Sequence, residues 1–352
     1  MDLSTCLKWA VEEGASDLFL VAGTPVSMKR DGKLVSLNNE RLMPADLDSL
    51  LEEIYRLARR SPETFRACGD DDFSFAVAGL ARFRVNTYFQ RGSAATVIRV
   101  VHFDIPDWRE AGIPESVIRL ADLKSGMVLV TGTAGSGKST TEACIIEEIN
   151  MTRDCHIITL EDPIEYLHRN KKSIVSQREI SIDTRDALSG LRACLRQAPD
   201  VIQLGEMRDL ETIRTAMTAA ETGHLLLATL HTKGAVNTVD RIIDTFPPEQ
   251  QNQIRIQLGS VLQTVVCQQL LPSVDGKRIP AFEIMNMTNA VRSLIRDSKT
   301  HQIDNVIAAG AADGMVSMDQ SIFNLFRAGK ITAETALAYA FNEDQMRRRI
   351  GR

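Results

Sequence analysis

Eight consecutive residues, Gly132-Thr133-Ala134-Gly135-Ser136-Gly137-Lys138-Ser139, match the phosphate-binding pattern G-x-x-x-x-G-K-[ST] at every fixed position. The chemistry follows from the residue types. Glycines let backbone N–H groups turn inward around a chain of phosphates, and the helix that follows adds the partial positive charge of its N-terminus. Lys138 is then placed to reach the β- and γ-phosphates of a nucleotide, and the Ser139 hydroxyl to ligate Mg²⁺. The bland alternative is a glycine-rich turn between a strand and a helix. Against it stands the context: Met127-Val128-Leu129-Val130-Thr131 reads as a buried strand, and Thr140 to Ile149 as a helix with Ala143, Ile145, Ile146 and Ile149 apolar.

Phosphate chemistry also needs acids, and two segments supply them. Ile157-Ile158-Thr159-Leu160-Glu161-Asp162 puts carboxylates at the C-terminal end of a buried strand, the edge where open α/β sheets hold their ligands. Glu161 is therefore the candidate to orient or deprotonate an attacking water, with capping of the next turn as the alternative. Asp200-Val201-Ile202-Gln203-Leu204-Gly205-Glu206 is a second strand ending in an acid, a Walker B-like element with Glu where Asp is usual. Glu206 is the candidate to hold Mg²⁺ through a water. His224 and His231 flank the apolar run Leu225 to Leu230. Both are candidate sensors near the γ-phosphate, and a core or interface role stays open for each.

These groups must be positioned by alternating strands and helices. Met127–Val130, His156–Leu160, Val201–Leu204 and Leu225–Ala228 are short, almost wholly apolar runs, as in a mainly parallel sheet covered on both faces. Before them lies a smaller α+β module: a helix over 3–13, a strand from Asp17 to Val21, and a hairpin about Arg30-Asp31-Gly32-Lys33. A helix over Pro44 to Arg59 and strands over 72–78, 82–90 and 94–101 complete it. The Pro- and Gly-rich stretch to Pro114 is expected to be a linker, so the domains are read as 1–102 and 115–352, with linker 103–114. From about 288 the pattern is helical.

Composition narrows the class. At 352 residues the chain has room for two or three cores. Its formal charge of −5 argues against a generic nucleic-acid binder, which needs excess positive charge to displace counterions. No run approaches the roughly 18 to 20 apolar residues of a membrane span, and the N-terminus lacks a signal-peptide core, so a cytoplasmic protein is expected. Six cysteines without zinc spacing are expected to be reduced and mostly buried.

Together the segments resemble the secretion and pilus motor ATPases, and within them the type IV pilus retraction ATPases of the PilT/PilU group, over essentially the whole chain. The matching pieces are GTAGSGKST, ITLEDPIEYLH, the strand leading into GEMRDLETI, and ETGHLLLATLHT, in matching order and spacing. The resemblance implies an α/β protein with an N-terminal PAS-like α+β domain and a C-terminal RecA-like P-loop ATPase domain ending in helices. It implies ATP and Mg²⁺, with Gly132, Thr133, Ala134, Gly135, Ser136, Gly137, Lys138, Ser139 and Thr140 around the phosphates. Glu161 becomes the catalytic carboxylate, Glu206 the Walker B acid, and His224 and His231 the His-box residues. It further implies a homo-hexameric ring with sites between subunits, working at the cytoplasmic face of the inner membrane on the pilus platform protein.

By the same resemblance, arginines of the N-terminal domain reach a γ-phosphate across a domain or subunit boundary. Arg82, Arg84 and Arg99 are the candidates, since a guanidinium stays charged and forks onto phosphate oxygens; a solvated strand face is the alternative. Extension ATPases commonly add an N-terminal domain and a four-cysteine zinc element, neither of which is expected here. The run Ala290-Val291-Arg292-Ser293-Leu294-Ile295-Arg296 resembles the retraction-type AIRNLIR segment, departing at Ser293. Gln197-Ala198-Pro199-Asp200 is closer to the PilU branch. An accessory retraction ATPase and a non-motor nucleotide-dependent regulator are the alternatives.

Overall fold

The computed structural model describes residues 2–30, 33–101 and 105–351. The chain divides into two compact units, Met1–Asp104 with Glu165–Leu167, and Ile105–Ile164 with His168–Arg352.

The first unit is built on six strands: β1 (Asp17–Leu20), β2 (Pro25–Arg30), β3 (Lys33–Arg41), β4 (Asp70–Val77), β5 (Ala81–Gln90) and β6 (Ser93–Val101). They pair antiparallel in the order β3-β2-β1-β6-β5-β4. The hairpin turn expected at Asp31-Gly32 lies outside the described residues, but β2 and β3 do pair on either side of it, Arg30 opposite Lys33. Alternation sorts the side chains of β5: Ala81, Phe83, Val85 and Thr87 are buried, while Arg82, Arg84 and Asn86 point to the other face. The buried face packs under helices Leu3–Glu12 and Pro44–Leu57, whose Leu7, Leu50 and Ile54 join Phe83 and Val85 in one apolar cluster. A short helix, Glu63–Cys68, was not expected from the sequence pattern.

The second unit holds β7 (Gly126–Thr131), β8 (His156–Glu161), β9 (Ile174–Glu179), β10 (Val201–Leu204), β11 (Leu225–Leu230), β12 (Leu262–Pro272) and β13 (Arg278–Asn286). Their order is β13-β12-β7-β11-β10-β8-β9, and every neighbouring pair is parallel except β12 with β13. The four expected strands are present. Strand β7 shows why they are almost wholly apolar: Met127 and Leu129 enter the cluster on one face of the sheet, Val128 the cluster on the other. Each such residue buried contributes about 1.5–3 kcal/mol. Residues 105–114, read from sequence as linker, pack within this unit, with Ile113 buried and Ile105, Trp108 and Ala111 against the same cluster as Val128.

The parallel direction of β7, β11, β10 and β8 brings four C-terminal strand ends to one edge. That edge carries the chemistry.

Candidate active site

Strand β7 ends at Thr131, and the chain turns through Gly132–Gly137 into helix Lys138–Thr152. Three positions in the turn have positive φ, Gly132 at 141°, Gly135 at 73° and Gly137 at 89°, where side chains are strained. Space also forbids a side chain at Gly132 and crowds one at Gly137. A Cβ on Gly132 would lie 2.3 Å from the Gln268 carbonyl oxygen, and one on Gly137 would lie 2.8 Å from Gln268 Nε2. Thr133, Ala134 and Gly135 form the exposed tip; Ser136 and Lys138 are buried, and Gly137, Ser139 and Thr140 half-buried. Lys138 Nζ donates to the carbonyls of Gly132 and Thr133, at 2.9 and 3.0 Å, which holds the ammonium over the loop. Ser136 Oγ is buried without a hydrogen-bond partner among the described residues, inside a concave backbone that suits an anion. The loop therefore fits a phosphate chain on its own geometry.

Glu161 and Glu206 leave neighbouring strands side by side. Leu160 of β8 is opposite Leu204 of β10, and Gly205 N–H donates to the Leu160 carbonyl at 2.8 Å. A Cβ on Gly205 would meet that carbonyl at 3.1 Å, so glycine permits the close approach. Glu161 Oε1 accepts from Thr159 Oγ1 at 2.5 Å and from Gln177 Nε2 at 3.0 Å. Two donors on one oxygen fix the carboxylate's direction. Glu206 is held differently, with Oε2 accepting from Arg208 Nε at 2.7 Å and Oε1 facing His231 Nε2 at 3.6 Å. The hydrogen bond to the Glu206 carboxylate raises the pKa of Arg208, keeping the guanidinium charged.

Running across the edge from β7 to β8, the order is phosphate loop, His231, Glu206, Glu161. With strands about 4.8 Å apart, the acids stand about 10 and 14 Å from the strand that feeds the loop, a gap that suits a nucleotide's terminal phosphates and a water.

A model of the type II/IV secretion system protein family matches residues 2–323. The chain belongs to that family. Among its relatives, the type IV pilus retractation ATPase PilT of Pseudomonas aeruginosa is 43% identical over 336 residues, covering 96% of this chain and 97% of the relative. The type IV pilus ATPase PilU of the same organism is 38% identical over 349 residues, covering 99% and 91%. A crystal structure of the pilus retraction motor PilT with bound ADP superimposes with a TM-score of 0.91 at 43% identity, covering 99% of each chain. This secretion-family chain is accordingly an ATPase and binds nucleotide.

One expected grouping does not form within the chain. His231 follows β11 at the loop edge, whereas His224 precedes β11 at the opposite edge. Seven residue steps at roughly 3.3 Å each separate the two by about 23 Å. His224 therefore does not sit near the phosphate loop of its own chain. Its Nδ1 instead contacts the Ala219 carbonyl at 2.9 Å and Thr222 Oγ1 at 3.2 Å, closing the end of helix Leu210–Glu221. It lines a polar cavity of about 500 Å³ with Lys124, Arg153, Asp154, Cys155 and Asp200.

The three arginines of this family chain share the outward face of the first unit's sheet. Arg84 lies directly opposite Arg99 on β6, and Arg82 is two residues along the same strand. Arg82 Nη2 donates to Ser74 Oγ at 2.6 Å, and Arg99 Nε pairs with Asp17 Oδ1 at 2.9 Å. Arg84 is exposed, and its side chain has no hydrogen bond or ion pair among the described residues.

Several supporting residues escaped sequence reasoning. Thr159 and Gln177, which hold Glu161, come from β8 and from the unexpected β9. Arg208, two residues from Glu206, sits inside a segment already singled out, and its charge was the available signal. Glu147, on the loop's helix, accepts from His168 Nδ1 at 3.0 Å, from Asn150 Nδ2 at 3.3 Å, and pairs with Lys171. Burial alone would raise its pKa, but these donors outweigh burial and hold it down to about 2. Of the six cysteines, Cys6, Cys144, Cys194 and Cys267 are buried.

Proposed function

We propose that this chain is a motor ATPase for type IV pilus retraction, working as a homo-hexamer on the inner-membrane pilus platform from the cytoplasmic side. The observation that carries it is the edge formed by the phosphate loop, His231, Glu206 and Glu161 on four adjacent parallel strands. The 43% identity to PilT along the whole chain supports the retraction assignment. Among the described residues no helix is long and apolar enough to cross a membrane.

The geometry supports a role for each residue. The N–H groups of Gly132 to Ser139 wrap the phosphates, and Lys138 neutralises the β- and γ-oxygens. Ser139, at the start of the helix, and Glu206 are the residues suited to Mg²⁺, which supplies charge to withdraw electron density from the γ-phosphorus. Glu161, aimed by Thr159 and Gln177, takes the proton from the attacking water. His231 stands against Glu206 and reads the γ-phosphate. Arg82, Arg84 or Arg99 of one subunit completes the site of another, which makes hydrolysis depend on assembly. The domain division supported is the one read from sequence, 1–102 and 115–352 with linker 103–114, except that 105–114 pack with the second domain.

The test is a deletion strain scored for twitching and surface pili. Retraction predicts lost movement with excess pili, restored by the wild-type gene and not by Lys138→Ala. Unchanged movement and pilus number would contradict it. The Gln197-Ala198-Pro199-Asp200 segment and the 38% identity to PilU favour a second reading, an accessory retraction ATPase. In that case residual retraction persists in the deletion strain and disappears with a second ATPase gene.

A further inference from the structure

Gln268 lies on β12, a strand absent from every nucleotide motif in the chain, yet it meets the phosphate loop at three places. Strand β12 runs parallel beside β7 with Cys267 opposite Thr131, which sets Gln268 level with the loop's first residue. At the loop's start, its carbonyl oxygen lies where a Cβ on Gly132 would be only 2.3 Å away. At the loop's end, its Nε2 fills the space a Cβ on Gly137 would need, 2.8 Å away. In the first helical turn, its Oε1 accepts from Thr141 Oγ1 at 2.7 Å. Both Gln268 and Thr141 are buried, at 3% and 0% exposure, so the bond is shielded from water and its loss leaves a buried hydroxyl without an acceptor.

We propose that Gln268 is a positioning residue of the nucleotide cradle, clamping both ends of the phosphate loop and the helix that follows. The inference rests on the reading of Gly132 to Thr140 as the nucleotide site. A glutamine suits the task because one planar amide gives Thr141 an acceptor with its oxygen while its neutral nitrogen end packs against Gly137. A carboxylate keeps the acceptor but turns a negative charge toward a loop that must hold phosphates. A thioether fills the volume and offers neither function. The clamp matters because loop N–H groups bind phosphate only when their directions are fixed, and a displacement of about 1 Å costs up to about a hundredfold.

The experiment measures binding of a fluorescent ADP, together with Tm, on the full chain carrying Gln268→Met, Gln268→Glu, Thr141→Val, the double Gln268→Met/Thr141→Val, or Lys138→Ala. The clamp predicts that Gln268→Met raises the ADP dissociation constant about tenfold or more while Tm moves by only a few degrees. Gln268→Glu weakens binding further. In the double variant Tm recovers because both buried polar groups are gone, and ADP binding stays weak because the amide that aligned the first turn of the helix is gone. A fall in Tm with ADP affinity unchanged in Gln268→Met, while Lys138→Ala binds poorly, overturns the clamp alone. Unchanged affinity in Lys138→Ala overturns the reading of the loop and the clamp with it.

Discussion

Glu206 and His231 face each other at 3.6 Å across the ends of adjacent parallel strands, with Arg208 on the other oxygen of the same carboxylate. One carboxylate thus joins the acid strand to the strand ending in the His-box residue. That proximity predicts that the two residues act as a unit. Glu206→Gln and His231→Gln are each expected to lower steady-state phosphate release by about tenfold to a hundredfold. The double variant should lose less than the sum of the two, because the effects of neighbouring side chains are not additive. Full additivity in that cycle would separate them.

His224 makes the opposite prediction. It closes the end of a helix at the far edge of the sheet, so His224→Ala removes a hydrogen bond worth about 1 kcal/mol and no phosphate contact. Melting should occur a few degrees lower, with ADP affinity within about twofold of wild type. A tenfold loss of ADP affinity would mean that His224 meets a nucleotide held by a different subunit.

Acid sensitivity has an assignable source in Glu147. Its folded-state pKa of about 2 lies below the ordinary value of 4.5, so its stabilising contribution is complete above about pH 4.5 and is lost as pH falls toward about 2. Glu147→Gln should therefore melt below wild type at pH 7, and the gap should narrow across that acid window. A gap independent of pH would assign the stability to packing of the side chain instead.

Among the three arginines, Arg84 is exposed and without an ion pair among the described residues, whereas Arg99 is engaged by Asp17 and Arg82 by Ser74. It is therefore the one best placed to serve a neighbouring subunit. Arg84→Ala and Lys138→Ala are each expected to be inactive alone, by a factor of about 10³ or more for an arginine supplied to the transition state. Mixed rings should recover part of the activity, since some interfaces then contain both intact elements. Rings that exchange subunits and stay inactive would remove Arg84 from that role.

Much of the site was legible because its residues are close in sequence to the strands that carry them. A run such as Met127 to Thr131 followed by glycines and Lys-Ser leaves little freedom in where the loop points, and the acids of β8 and β10 are announced by the apolar runs before them. What escaped depends on pairings over long sequence separations. Thr141 and Gln268 are 127 residues apart, and β12 lies beside β7 only because the chain returns to that side of the sheet. Strand β9, which brings Gln177 to Glu161, is half-exposed and lacks the apolar signature of its neighbours. The separation of His224 from its own chain's loop was also legible, since two residues flanking a six-residue strand must lie at opposite edges of the sheet.

The central claim is that hydrolysis at this edge powers retraction, and it is tested most directly by imaging labelled pili in cells whose only copy of the gene carries Glu161→Gln. Replacing the oriented carboxylate by an amide keeps the hydrogen bond from Thr159 but removes the base, so the purified variant should bind ATP and hydrolyse it about a hundredfold more slowly or worse. In the cell, pili should extend normally, remain at the surface and fail to retract. Retraction at wild-type speed, with turnover in the purified protein unchanged, would contradict the account.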